Sequence, residues 1–438
     1  NRRPCRERLA RHLAPRCATM GAVFGHVADA YRHHRRLAIR VAVALLATAV
    51  GLAVVGGTIR VLRAAGRQPP RASPSSVATY DWTANLPAPV TGLAVEENRL
   101  YVSSDAITVF PVSCVPDNAI CAPRWSNDTA GAAGPLSAPL VTEGRVFAGS
   151  ADGMLLAYPD VCGTDGCTPD WIGEAGVGPV SQPAANFDFV YVTSDALYAF
   201  PLGCATGGLE CTPAWSAEVA GQPSPGAPAL GDGLVIVSSS GRRSGLSAFP
   251  AVCGAACEPV WTARFEGRAG AAVVGDGLAY TVARGRLLAF STSCSGRCDP
   301  VWRAHLTPAE PSVANAPPPR PLGAPVVAGD RVLVAGPDGR LYVFAASCDD
   351  ARCESIASYE VSSSALLPPV VDGDTALVTS TDGSASVVDL ACDPLASTVA
   401  CPAEPIVSLG GGALTPSLMT SDAVIAGGRD GSLEVITR

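Results

Sequence analysis

Two hydrophobic regimes divide the chain. Val41 to Ile59 is an unbroken run of 19 residues without a charge. Beyond about residue 78 the apolar positions come instead in short stretches that alternate with polar ones and are cut by Gly, Asp and Pro. The first pattern predicts a membrane-spanning helix; the second predicts many short β-strands joined by tight turns. One complete unit of the second kind runs from Ser224 to Trp261. It reads as an apolar stretch, the turn Gly231-Asp232-Gly233, a strand from Leu234 to Ser238, a second turn, the strand Ser244 to Phe249, a pair of cysteines, and Glu258-Pro-Val-Trp261. That is four strands, A to D.

The unit repeats. A G-x-L-x-A-F/Y strand recurs at Gly153–Tyr158 and Gly285–Phe290, and more loosely at Gly339–Phe344; C-x-P-x-W recurs at Trp125, Trp171, Trp215, Trp261 and Trp302. First cysteines of successive pairs lie 41 to 54 residues apart, a period that points to a propeller or solenoid. Four antiparallel strands per unit is the make-up of a propeller blade. Repeats six and seven have Ala357 and Pro405 where the others have Trp. An eighth repeat begins near Leu414 and ends at Ile436 after three strands, and Thr79-Tyr-Asp-Trp82 supplies a fourth from the other end of the chain. The expected fold is therefore an all-β, eight-bladed β-propeller closed by N- and C-terminal strands, which removes the sheet edges that invite aggregation, preceded by one transmembrane helix.

Charge separates the same two regions. Residues 1–71 hold 14 Arg against Glu7 and Asp29, and residues 72–438 hold 17 Arg against 37 acids, so the balances are +12 and −20 and sum to −8. Ten of the first 14 arginines precede the apolar run, which places the N-terminus in the cytoplasm by the positive-inside rule. At about 1.5 Å per residue the run spans about 28 Å, close to the thickness of a bilayer core. A cleaved signal peptide has a shorter apolar core and a small-residue cleavage site, so an uncleaved anchor is expected. The domains expected are a basic cytoplasmic segment 1–36, a transmembrane helix 37–59, a stalk 60–77 and a propeller 78–438. The chain begins with Asn1, so either residues precede it or translation starts at Met20. All 31 basic residues are Arg, a bias of GC-rich bacterial genomes, and the expected location is a bacterial cytoplasmic membrane with the propeller outside.

Of 16 cysteines, 14 form seven close pairs: Cys114/Cys121, Cys162/Cys167, Cys204/Cys211, Cys253/Cys257, Cys294/Cys298, Cys348/Cys353 and Cys392/Cys401. Close pairs beyond a membrane anchor predict disulfides in an oxidising compartment. Zinc would need two pairs to meet in space, and a ring of repeats keeps them apart.

The repeated G-x-L-x-A-F/Y strand, the short turn and the strand ending in Trp resemble the pyrroloquinoline-quinone-like propeller repeat over residues 78–438. Here a disulfide loop stands where that superfamily usually has an Asp and a Thr-Gly. The resemblance implies a propeller of the kind found in quinoprotein dehydrogenases, in the lipoprotein scaffold of the outer-membrane β-barrel assembly machine and in sensor regions of membrane kinases. It implies that Trp82, Trp125, Trp171, Trp215, Trp261 and Trp302 dock neighbouring blades, as bulky aromatics at a fixed strand position would.

No constellation in the sequence calls for catalysis. A quinoprotein dehydrogenase needs a catalytic carboxylate, an axial calcium site and often adjacent cysteines; no two Cys here are adjacent. Asp152, Asp338, Asp382 and Asp430 each precede Gly at a hairpin turn, where backbone geometry asks for that pair. His305 is the only histidine after the apolar run, so no His cluster forms there. No catalytic, cofactor or metal site is expected, and the acidic body excludes nucleic acid as a partner. One sector departs from the acidic rule. Residues 224–308 hold eight Arg and five acids. The B–C turns of blades four and five carry Arg242, Arg243, Arg284 and Arg286, where six other blades carry Asp, and a Pro-rich loop runs from Thr307 to Pro321 beside them. These four arginines are the candidate contact for a protein or an anionic envelope polymer. The expected role is a tethered binding or scaffolding module, with a sensor ectodomain as the alternative and a quinone-dependent oxidoreductase the remote one.

Overall fold

Among the described residues, alternating apolar positions and Gly-containing turns become 36 short strands in eight separate sheets. The computed structural model describes residues 81–437, except 115–119, 128, 164–165, 205–208, 243, 255–256, 307–322 and 393–400. The expected cytoplasmic segment, transmembrane helix and stalk lie outside the described residues, as do Arg243 and the Thr307–Pro321 loop. Among the described residues no helix is long and apolar enough to cross a membrane.

Each sheet is one blade, antiparallel through its A to D strands. Blade one, for example, pairs Gly92–Glu96, Arg99–Ser103, Ile107–Pro111 and Trp125–Ser126 in order. The last blade joins both ends of the chain: Trp82–Asn85 pairs antiparallel with Ser432–Thr437, Trp82 opposite Val435. The ring is therefore closed as the repeat count requires. From blade three to blade eight, successive A strands touch one another and form the inner ring. Tight turns set the hairpins. Arg284 and Gly285, like Asp232 and Gly233, both have positive φ, the backbone of a type I′ turn. Gly153 sits at φ +100, and a Cβ there would collide with the carbonyl of Gly176, so only glycine fits.

The core is distributed. Eight clusters of buried side chains fill the eight seams between blades. Trp82, Trp171, Trp261 and Trp302 are completely buried and Trp125 and Trp215 nearly so, each in the seam with the following blade. Trp82 lies 5.6 Å from Phe110 and Trp171 lies 6.0 Å from Phe200, both in the next blade. Blade six, which has Ala357 at the Trp position, uses Tyr359 instead. It is two residues on and so on the same strand face, buried, with its hydroxyl donating to the carbonyl of Cys392 at 2.8 Å.

All seven expected disulfides form. Cys114–Cys121, Cys162–Cys167, Cys204–Cys211, Cys253–Cys257, Cys294–Cys298, Cys348–Cys353 and Cys392–Cys401 have Cα–Cα distances of 5.4 to 6.3 Å. Their placement was not legible in the repeat. Most of the loops reach back to the outer strand of the preceding blade. Glu210–Cys211 pairs in parallel with the Trp171 strand, Gly296–Cys298 with the Trp261 strand, and Arg352–Cys353 with the Trp302 strand. Single parallel bridges join Ile120 to Thr83 and Cys167 to Asn127 in the same way. These loops cover strand edges that would otherwise offer unpaired N–H and C=O groups.

The seven loops are nevertheless not copies of one another. Cys121, Cys257 and Cys401 lie outside any strand or bridge. Cys121 still holds the preceding blade, because its backbone N–H donates to the Thr83 carbonyl at 3.1 Å. Cys257 and Cys401 make no strand bridge among the described residues; they belong to their seams by side-chain packing. Cys257 is buried in the cluster that holds Trp215, and Cys401 is partly buried against the one that holds Tyr359. Loop length does not decide the seating: Cys253–Cys257 and Cys294–Cys298 both span 4 residues, yet among the described residues only the second pairs as a strand with the preceding blade. Cys401 packs in the seam with the Tyr359 strand of blade six, which has tyrosine rather than tryptophan there. Blade seven has no disulfide loop after it. Its outer strand, Glu404–Ser408, instead carries Pro405 and a bulge at Ile406, two other devices that blunt an edge.

A second repeated contact pins the seams that carry a disulfide. The carbonyl two residues before the first cysteine of a pair accepts a hydrogen bond from the preceding blade. At Val112 and Thr292 the donor is a Trp Nε1–H, from Trp82 at 2.9 Å and Trp261 at 3.1 Å. At Asp160, Ala251 and Ala346 it is a tyrosine hydroxyl, from Tyr101 at 3.3 Å, Tyr191 at 2.7 Å and Tyr280 at 2.9 Å. At Leu202 it is Arg145, at 3.4 Å. Where tyrosine or arginine takes the carbonyl, the tryptophan can be left over: the Nε1 atoms of Trp171, Trp215 and Trp302 are buried without a partner among the described residues.

Candidate binding face

The B–C turns and D–A loops emerge together on one face, around a cavity of about 1250 Å³. Its walls are mostly Pro, Ala, Gly and Val, including Pro179, Pro225, Pro228, Pro368 and Pro416. Gln182, Gln222, Thr193 and Ser194 add polar atoms, and the charged lining residues are Asp195 and Arg268.

Six of the eight B–C turns place an Asp on this face: Asp105, Asp152, Asp195, Asp338, Asp382 and Asp430. Most of these carboxylates are engaged locally. Asp430 accepts the Ser432 backbone N–H at 3.0 Å and its hydroxyl at 2.6 Å. Asp382 accepts both from Ser384, at 2.9 and 2.7 Å, and the Ser362 hydroxyl at 2.9 Å. Burial pushes the Asp382 carboxyl up, but the bonds from Ser384, Ser362 and Ser380 outweigh it and bring it down to about 2. Asp195 accepts the Tyr198 hydroxyl at 2.9 Å, and burial together with that carboxylate pushes Tyr198 up to about 12. Turn capping therefore accounts for these carboxylates. Among the described residues no three His, Cys, Asp or Glu side chains converge as a metal site would need.

Blades four and five break the acidic ring. Arg242, Arg284 and Arg286 are exposed on this face, and Arg284 forms an ion pair with Glu266. Three further basic residues belong to the sector. Arg264 ends the Trp261 strand opposite Gly245, His305 ends the Trp302 strand opposite Arg286, and Arg268 follows in the D–A loop and lines the cavity. A sequence signal for them existed: each stands three to seven residues after a D-strand Trp, where the chain returns to the B–C face.

A family model described as outer membrane protein assembly factor BamB matches residues 76–292 and, overlapping, 207–393. The chain belongs to that family. Its pyrroloquinoline-quinone-like repeat places it there together with the eight-bladed ring. Among solved structures the ring is similar to BamB from Moraxella catarrhalis (TM-score 0.55, 15% identity, 81% of this chain and 96% of that one). It is also similar in shape to the Sqt1 protein of Saccharomyces cerevisiae (TM-score 0.63, 9% identity, 81% and 98%). A third similar structure is the computationally designed Ika8 protein (TM-score 0.61, 13% identity, 81% and 99%). At such identities the likeness concerns the fold alone. Among curated proteins no sequence matches.

Proposed function

We propose that this BamB-family chain is a protein-binding scaffold, held at a membrane by the apolar segment 41–59, with its propeller in an oxidising compartment. The observation that carries the reading is the assembly-factor family match, which runs through residues 76–393 of one closed ring. A ring of blades whose turns surround a half-open cavity with few polar groups suits the display of fixed contact points better than the enclosure of a small substrate. The seven disulfides support the oxidising compartment, since such bonds are rare where thiols are kept reduced. The uncharged run flanked by arginines supports the anchor. Photo-crosslinkers placed at Ser194 and Ala271, which line the cavity, and at Asp299, which is exposed beside Cys298 and does not line it, test the reading in host membranes. Discrete protein adducts from the cavity positions are expected, with none from Asp299. Adduct-free cavity positions, or equal labelling from all three, would reject a scaffold that works through this face.

A further inference from the structure

We infer that the arginine sector of blades four and five binds an acidic, extended segment of a partner protein, with the apolar part of that segment entering the cavity beside Arg268. The inference rests on the scaffold reading and names the partner's chemistry. Its first ground is how the arginines are used. Elsewhere on the ring Arg99, Arg145, Arg331 and Arg340 each hold a carboxylate, on Asp160, Asp170, Asp374 and Glu360, at 3.0 to 3.3 Å. On the turn face of the sector only Arg284 does so among the described residues. Arg242, Arg264, Arg268 and Arg286 have no ion-pair partner among the described residues. Arg124, Arg297, Arg303, Arg352 and Arg429 also lack an ion pair among the described residues, so what marks the sector is not the lack of pairing alone but four such guanidinium groups gathered on one face of two adjacent blades. These keep their donor forks free for carboxylates from outside.

The second ground is placement. The sector interrupts an otherwise acidic ring of turns, so a polyanion is attracted to blades four and five and repelled from the other six. Arg268 joins it to the cavity, whose Pro-, Ala- and Val-rich walls and few polar groups fit apolar side chains and backbone amides. That mixture favours a peptide over a uniformly hydroxylated polysaccharide.

The test uses the full-length chain in detergent micelles and a fluorescent oligoglutamate peptide interspersed with leucine, with heparin as the polysaccharide probe. Reversing Arg242, Arg264 and Arg286 to Glu, all surface residues, is expected to weaken peptide binding at least about tenfold, or about 1.4 kcal/mol, and Arg268→Glu to do so alone. Reversing Arg297 and Arg352, in the disulfide loops, is expected to leave it unchanged. Binding should fall as salt rises. Peptide that fails to bind, that binds the sector reversal equally well, or that binds less well than heparin overturns the inference. If cavity crosslinks to a protein persist in that case, the scaffold reading stands and only the acidic partner is lost.

Discussion

Tryptophans 261 and 302 occupy the same repeat position in adjacent blades, and both are essentially inaccessible, at 0% and 1% exposure. Replacing either with Phe removes similar ring atoms and leaves a similar void, so the packing cost should nearly cancel between them. The polar cost should not. Trp261 donates Nε1–H to the Thr292 carbonyl at 3.1 Å, a bond with a net value of about 1 kcal/mol. Trp302 has no acceptor among the described residues, because the equivalent carbonyl, Ala346, takes the Tyr280 hydroxyl at 2.9 Å. A buried N–H without a partner costs about 1–3 kcal/mol, and Trp302→Phe removes that cost. Trp261→Phe should therefore be more destabilising than Trp302→Phe by about 2–4 kcal/mol, the sum of the two effects.

Urea unfolding reads this directly, as a difference in midpoint at an unchanged m-value. Tyr280→Phe adds a further arm. It vacates the Ala346 carbonyl, which the Trp302 N–H can then take, so its cost should fall below about 1 kcal/mol. In the Tyr280→Phe, Trp302→Phe double variant neither donor is left, and the two changes should be non-additive. Equal destabilisation by Trp261→Phe and Trp302→Phe would refute the sharing of one acceptor between tyrosine and tryptophan.

Three further outcomes are expected. Replacing Cys294 and Cys298 by Ala opens a short loop, costing about 2 kcal/mol in the chain-entropy treatment. It should also free the Gly296 N–H, now bonded to the Val260 carbonyl at 3.0 Å, so amide exchange at Gly296 should rise while exchange at Ala289 does not. Burial pushes the Tyr191 and Tyr280 phenols up to about 12, from about 10 when unfolded. A raised folded value means that this stabilisation is complete below pH ~10 and is lost as pH climbs toward 12; Tyr191 and Tyr280 should be among several late-titrating groups in tyrosinate absorbance, so Tyr191→Phe and Tyr280→Phe should each remove late signal, and loss of early signal instead would contradict their burial. Asp382 is the acidic counterpart. Its carboxyl is held at about 2, so its contribution is present above the unfolded value near ~4 and is lost as pH falls toward 2. Stability of Asp382→Asn should show less dependence on pH across that window.

Blade number, ring closure and disulfide pairing were readable because each is a local pattern: turn pairs, strand alternation, and cysteines a few residues apart. The closure followed from one odd residue, Trp82, which has the blade-ending Trp but no cysteines before it. What escaped was whatever depends on the neighbouring blade. Tyr359 as the seam residue of blade six is set by the strand face opposite blade seven. The backward reach of the Cys211, Cys298 and Cys353 loops is set by an outer strand in the blade before. The different seating of Cys121, Cys257 and Cys401, which share the same C-x-P spacing or its remnant, has the same origin. Likewise Arg242, Arg284 and Arg286 stood out as turn residues breaking a run of Asp, whereas Arg264, Arg268 and His305 join them only once strand register is fixed.

The two kinds of legibility bear on function. Seams and edges are settled by repetition: a disulfide loop, a buried aromatic and a bonded carbonyl recur at junction after junction, and the seam without a loop has Pro405 and a bulge instead. Such repetition makes the ring stiff and leaves little to distinguish one blade from the next. A partner can therefore be told where to bind only by what is not repeated. On the turn face, the largest departure from the eightfold pattern is the exchange of Asp for Arg in blades four and five, beside a cavity whose lining cation among the described residues is Arg268. A uniform scaffold with a single non-uniform sector is an arrangement in which charge selects the sector and the rigid ring fixes the geometry of what is held there.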